Sequence, residues 1–210
     1  FNLAKDFTAN RASFADDSTA TFKRVGHTSA TSETAIIQPQ SAYEACRLWL
    51  TAPVQTEPVE IEGTPHLRLK LWIDAATAIL SVRLIDLRKA KRLNPVATIV
   101  GRGTYQFAYD GKHVDIREFT QADKPTASKL ISYGHLNLQN PRNAYEVQQI
   151  TPGQPFTVDL DLQPTHYLLP ADRQLGLIIH GADMAQTIRP VDVVNYHIDL
   201  ASSTLTLPCH

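Results

Sequence analysis

Several stretches of the chain alternate apolar and polar residues with a period of two, and this restricts the fold more than any other feature. Leu67, Leu69, Leu71 and Ile73 are interleaved with His66, Arg68, Lys70 and Trp72. Phe156, Val158, Leu160 and Leu162 are interleaved with Thr157, Asp159 and Asp161, and Leu175, Leu177 and Ile179 follow. Val194, Tyr196, Ile198 and Leu200 continue the pattern, with a last short run at Leu205 and Leu207. Successive side chains of an extended chain point to opposite faces, so each run reads as a strand with one face toward a core. Nothing comparable repeats at 3.6.

The spacing of these runs predicts hairpins. Leu80, Val82 and Leu84 resume the alternation after the short break "DAAT", which reads as a hairpin with the strand before it. Tyr105, Phe107 and Tyr109 lead into Asp110-Gly111, a dipeptide suited to a tight type I′ turn, and Val114 and Ile116 follow. With "TAIIQ", "CRLWL" and "EPVEIEG" included, about ten short strands are expected, and the 13 prolines fall mostly between them. Only "SAYEAC" and "DLRKAKRL" look helical, for a turn or two each. Alternating strands without a repeat of 20 to 50 residues favour two sheets packed face to face, an all-β jelly-roll β-sandwich, over a propeller or solenoid.

The segment from Asn10 to Thr34 holds nine Ser or Thr and little periodicity. Residues 1–34 are therefore expected to be an irregular lead-in or linker and residues 35–210 the sandwich. The chain begins at Phe1 rather than Met, which suggests a piece of something longer.

Charge and composition exclude several functions. Twenty basic and 21 acidic side chains are too balanced for a nucleic-acid or acidic-membrane partner. No apolar run approaches the roughly 18 residues of a membrane span. Cys46 and Cys209 have neither CxxC nor His-Cys spacing, so two thiols in a reducing compartment, the cytoplasm, are expected.

The stretch "PTHYLLPADRQLGLIIHGADM" raises the question of catalysis, because it holds two histidines and two aspartates around an apolar run. None of the ten serines sits in the G-x-S-x-G elbow of an α/β-hydrolase nucleophile, and G-x-G-x-x-G and P-loop patterns are missing. His166, His180, Asp183 and His197 could converge in a jelly roll, but their spacing matches no cupin pattern, and His180 and His197 lie opposite the apolar positions of their strands. Asp159 and Asp161 are the outward face of a strand, and Asp172 falls in a polar turn after Pro170. No catalytic residue, metal ligand or cofactor is expected. Trp72, on the same face as Arg68 and Lys70, is a candidate platform for stacking on a sugar ring. Tyr133, His135, Asn137 and Gln139 form a row of large polar side chains opposite Leu136 and Leu138, a candidate interdomain contact.

A resemblance adds to this reading. "AILSVRLIDL" (78–87), "ISYGHLNLQNP" (131–141), "ITPGQPFTVDLDLQPTHYLLPADRQLGLIIHGADMAQTIRP" (150–190) and "YHIDLASSTLTLP" (196–208) are similar to the C-terminal domain of bacterial Xaa-Pro dipeptidyl-peptidases, the X-prolyl dipeptidyl aminopeptidases of lactic acid bacteria. Asp172 stands where that family is expected to have glycine. The resemblance implies a jelly roll, galactose-binding-domain-like and similar to the third domain of cocaine-esterase relatives, generally regarded as non-catalytic. It implies a parent serine exopeptidase that removes Xaa-Pro dipeptides, with its triad in a preceding α/β-hydrolase domain and no triad residue here. The expected role is an accessory domain packed on that hydrolase domain, with assembly into a homo-oligomer as a further role. The alternative is a module that binds carbohydrate or a surface partner.

Overall fold

The computed structural model describes residues 1–16, 35–39, 44–94, 97–102, 115–183, 186–188 and 192–209. Its strands are β1 (Thr8–Ala9), β2 (Ser13–Asp16), β3 (Arg47–Val54), β4 (Val59–Gly63), β5 (His66–Ile73), β6 (Ile79–Ala90), β7 (Thr98–Arg102), β8 (Asp115–Glu118), β9 (Thr126–Asn137), β10 (Phe156–Asp161), β11 (Thr165–Leu169), β12 (Gln174–His180) and β13 (Val194–Thr206). The chain divides into two compact units, Phe1–Leu87 with Ser128–His210, and Arg88–Ala127.

The larger unit is the sandwich. One sheet runs β1-β3-β12-β6-β9 and the other β10-β5-β13-β2, while β11 and β4 pair as a separate ribbon. The predicted alternation defines the inner faces. Leu67, Leu69, Leu71 and Ile73 of β5 are fully buried in one core with Leu80, Val82 and Leu84 of β6 and Leu175, Leu177 and Ile179 of β12. Each such side chain contributes about 1.5–3 kcal/mol of burial, so the core dominates the stability of this unit. The free edge of β9 is covered by the link between β10 and β11: Gln163 donates its backbone N–H to Tyr133 O at 2.8 Å, and the Ser132 hydroxyl donates to Gln163 O at 2.6 Å.

Four sequence expectations are corrected. β5 and β6 are not a hairpin: β5 pairs with β10 and β13, and β6 with β12, so the "DAAT" break carries the chain from one sheet to the other. A local alternation with a short break is the same for a hairpin and for an inter-sheet corner. The corner is fixed by Asp74, whose carboxylate accepts from the Asn195 backbone N–H at 2.8 Å and from its side-chain amide. "DLRKAKRL" is extended as far as Ala90, because it continues β6. "TAIIQ" is not a strand: residues 35–37 form a helical turn, and Ile36 plugs onto Ile85, Leu87 and Ile178. Finally, residues 1–16, expected in the lead-in, belong to the sandwich, with β1 on β3, β2 on β13, and Leu3, Phe7 and Phe14 buried. Residues 17–34 lie outside the described residues.

The Tyr105-to-Val114 part of the second expected hairpin also lies outside the described residues. On either side of it, β7 and β8 pair antiparallel in the smaller unit, with a bulge between Ile99 and Gly101. Within that unit, Arg92 donates to Thr126 O at 2.6 Å and to Arg88 O at 2.8 Å.

Asp172 has φ 62°, in the left-handed region that glycine occupies without cost. The turn is anchored by a hydrogen bond from its backbone N–H to Gln55 O at 2.9 Å. Aspartate tolerates this conformation better than most residues, which reconciles it with a position where glycine is expected.

Candidate functional site

The row expected on β9 divides into two halves. Tyr133 and His135 are half-buried, with ring centroids 5.7 Å apart. The Arg83 guanidinium lies 5.3 Å from the Tyr133 ring centroid, His135 Nδ1 lies 3.0 Å from Ser81 Oγ, and His135 Nε2 lies 3.1 Å from Gln186 Oε1. These two side chains are therefore held by the domain's own packing. Asn137 is exposed: its amide donates to Asn140 Oδ1 at 3.1 Å, and its Oδ1 accepts from the Gln139 backbone N–H at 3.1 Å. The second half of the row thus shapes the start of a loop.

Tyr133 and His135 border a charged layer on the outer face of the five-stranded sheet. Cross-strand register sets Arg47 opposite His180 and His180 opposite Ser81 in one row, and Trp49, Ile178 and Arg83 in the next. Arg47 is fully buried and donates to the carbonyls of Ile36, Gln38 and Pro39 and to the Glu44 carboxylate, so it pins residues 35–39 onto the sheet. Arg83 pairs with Asp183, both shut from solvent. Burial pushes the His180 pKa well down, and the charges of Arg83, His135 and Arg47 add to the effect, so this imidazole is neutral.

Ser81 and His135 resemble a nucleophile and its base only in distance. Ser81 is fully buried, and the second nitrogen of His135 faces an amide where a triad would place a carboxylate. The arrangement suits packing, not acyl transfer.

The residues considered as metal ligands do not converge. His180 and Asp183 belong to the charged layer. His197 stacks on Trp72 in the other sheet, centroids 5.2 Å apart and planes within 5°. That contact also covers one face of the indole proposed as a sugar platform. Arg68 and Lys70 beside it pair with Asp159 at 3.4 Å and Asp199 at 3.2 Å. His166 meets Glu60 at 2.6 Å across the β4–β11 ribbon, with Glu62 close by, and the hydrogen bond to Glu60 raises its pKa. His66 lies between Asp161 and Asp159, and the bond to Asp161 raises its pKa most.

Beyond Asn137 the chain forms a loop that sequence periodicity does not single out. Leu138 and Ile150 are buried in the main core at its two ends. The loop and the end of β9 line two shallow grooves: one of about 470 Å³ lined by His135, Asn137, Pro141 and Arg142 among others, and one of about 300 Å³ lined by Arg142, Glu146 and Val147 among others.

The comparisons with known proteins bear on the whole chain. A sequence model of the "X-Pro dipeptidyl-peptidase C-terminal non-catalytic domain" family matches residues 3–207. The Xaa-Pro dipeptidyl-peptidase of Lacticaseibacillus casei strain BL23 is 60% identical over 207 residues, 99% of this chain and 26% of that protein. The Xaa-Pro dipeptidyl-peptidase of Lactobacillus delbrueckii subsp. lactis is 32% identical over 194 residues, 92% of this chain and 24% of that protein. The chain thus spans about a quarter of the length of these relatives. Among solved structures, an alpha-amino acid ester hydrolase superposes with a TM-score of 0.59 at 13% identity, covering 83% of this chain and 28% of that one. An aminopeptidase from a marine sediment archaeon superposes with a TM-score of 0.57 at 12% identity, covering 84% and 28%. These two likenesses show the fold alone. The match across both sheets of the sandwich, from residue 3 to residue 207, means that this chain belongs to the family of X-Pro dipeptidyl-peptidase C-terminal non-catalytic domains.

Proposed function

We propose that this domain packs on the hydrolase part of an Xaa-Pro dipeptidyl-peptidase chain and stabilises it, taking no part in the cleavage of Xaa-Pro dipeptides from peptide N-termini. One observation carries the reading: a sandwich with its own closed core corresponds to only 26% of a relative named for that activity, at 60% identity. A domain joined to its partner in one polypeptide docks at high effective concentration, so an interface of modest area is enough. The parent's triad belongs to the part of the protein that this chain does not span. The cysteine thiols, Cys46 buried and Cys209 exposed, support the cytoplasm as the compartment.

The test compares the full-length parent with a version lacking this domain, alongside the domain alone. The domain alone is expected to release no dipeptide from an Xaa-Pro chromogenic substrate, and its removal is expected to lower the parent's thermal stability. Turnover by the isolated domain that a serine-directed inhibitor abolishes would overturn the proposal, as would a parent equally stable without it.

A further inference from the structure

We infer that the loop from Leu138 to Ile150 is the anchor by which this domain docks on the remainder of its parent chain, with Tyr145 and Val147 as the inserted side chains. The inference rests on the accessory-domain reading above and names the surface that reading requires.

The loop is ordered by its own hydrogen bonds. Gln148 donates its backbone N–H to Gln139 O at 2.6 Å and closes the neck. The Asn140 amide donates to Glu146 O at 3.0 Å, and Asn143 Oδ1 accepts from the backbone N–H groups of Tyr145 and Glu146, both at 2.9 Å. At the base, Leu138 N donates to Ala78 O at 2.9 Å, and Leu138 and Ile150 are 1% and 5% exposed. Compact loops with closed ends and satisfied turns are frequently functional.

This scaffold presents two large apolar side chains among polar neighbours. Tyr145 is 94% exposed and Val147 71%, although a chain held this tightly has no need of large apolar side chains in water for its own stability. A tyrosine on a fixed backbone loses little entropy when it inserts, and it combines apolar area with a hydroxyl that finds a partner. The two grooves beside it receive side chains from the other surface, and Arg142 and Glu146 flank it with opposite charges, so the partner need carry no strong net charge. The occupant is the hydrolase part of the same polypeptide: about three quarters of the length of the 60% identical relative lies outside the matched region, tethered to it covalently.

The experiment uses the full-length parent chain as wild type, as Tyr145→Phe, and as the double variant Tyr145→Asp with Val147→Asp. Calorimetric unfolding, the rate of proteolytic cleavage between the two parts, and sedimentation are measured. Wild type and Tyr145→Phe are expected to unfold as one coupled unit. The double variant is expected to show a separate transition and roughly tenfold faster cleavage, as for loss of an interface hot spot. A double variant indistinguishable from wild type would overturn the loop assignment while leaving the accessory reading intact. A wild type that already unfolds as two independent parts would overturn both. Conversion of a dimer to a monomer with the coupled transition intact would assign the loop to a second copy of the chain and overturn the proposal.

Discussion

Arg83 and Asp183 lie 100 residues apart in the chain and meet as an ion pair 0% and 1% exposed. β6 contributes one and the turn after β12 the other, so the pair ties the outer face of the five-stranded sheet to the segment that follows it. Removing Asp183 takes a carboxylate away from a guanidinium that is shut from solvent. Asp183→Ala is expected to destabilise the domain by about 3–5 kcal/mol, whereas Arg83→Met combined with Asp183→Leu should cost far less. Urea denaturation of the three proteins checks this, and a single variant within about 1 kcal/mol of wild type would count against it.

His180 predicts a pH dependence. Its folded-state pKa is depressed by burial and by Arg83, His135 and Arg47, with a hydrogen bond to Ala182 backbone acting the other way. An unfolded histidine takes up its proton near pH 6.5, so the unfolded state binds more protons below that value, and stability falls as the pH drops from there toward the depressed folded value. Above pH 6.5 the contribution is constant. His180→Leu is expected to remove a slope of up to about 1.4 kcal/mol per pH unit below 6.5. Denaturation midpoints at pH 7.5, 6.5 and 5.5 read the difference, and parallel pH profiles for the two proteins would refute it.

Tyr133 and Asn137 are expected to behave differently in the isolated domain. Tyr133 packs beneath Arg83 and beside His135, so Tyr133→Ala should lower stability by about 1–3 kcal/mol. Asn137 is exposed and supports only the local turn, so Asn137→Ala should cost about 0.5 kcal/mol or less. Thermal melts of the two variants distinguish the halves of the row, and equal losses would show that β9 presents a single face.

Gly181 follows β12 directly. A Cβ there would fall on the Asp16 side chain, 2.6 Å from its Cβ, and Asp16 is buried with its carboxylate accepting from the Ala182 N–H at 2.9 Å. Asp16 cannot move without losing that bond, so Gly181→Ala is expected to cost about 1–3 kcal/mol. An alanine variant as stable as wild type would mean that β2 shifts freely at this position.

The period-two runs determined which residues line the core, because a strand with one wet face must alternate: Leu67 to Ile73 and Val194 to Ile198 lie where the pattern puts them. Long ordered motifs further pointed to the family. Strand partnership was decided only by the tertiary structure, since the same alternation serves a hairpin and an inter-sheet corner, and β5 and β6 part company at "DAAT". The charged layer was half-visible: Arg83 shares parity with Ile85 and Leu87, a sign of a strand covered on both faces, where alternation loses its meaning. What covers that strand, a turn at Ile36 pinned by Arg47 and an aspartate from 100 residues away, depends on contacts between segments far apart in the chain. Tyr145 belongs to the same class: its residue type says nothing of exposure, and only the hydrogen-bonded loop beneath it holds it in water.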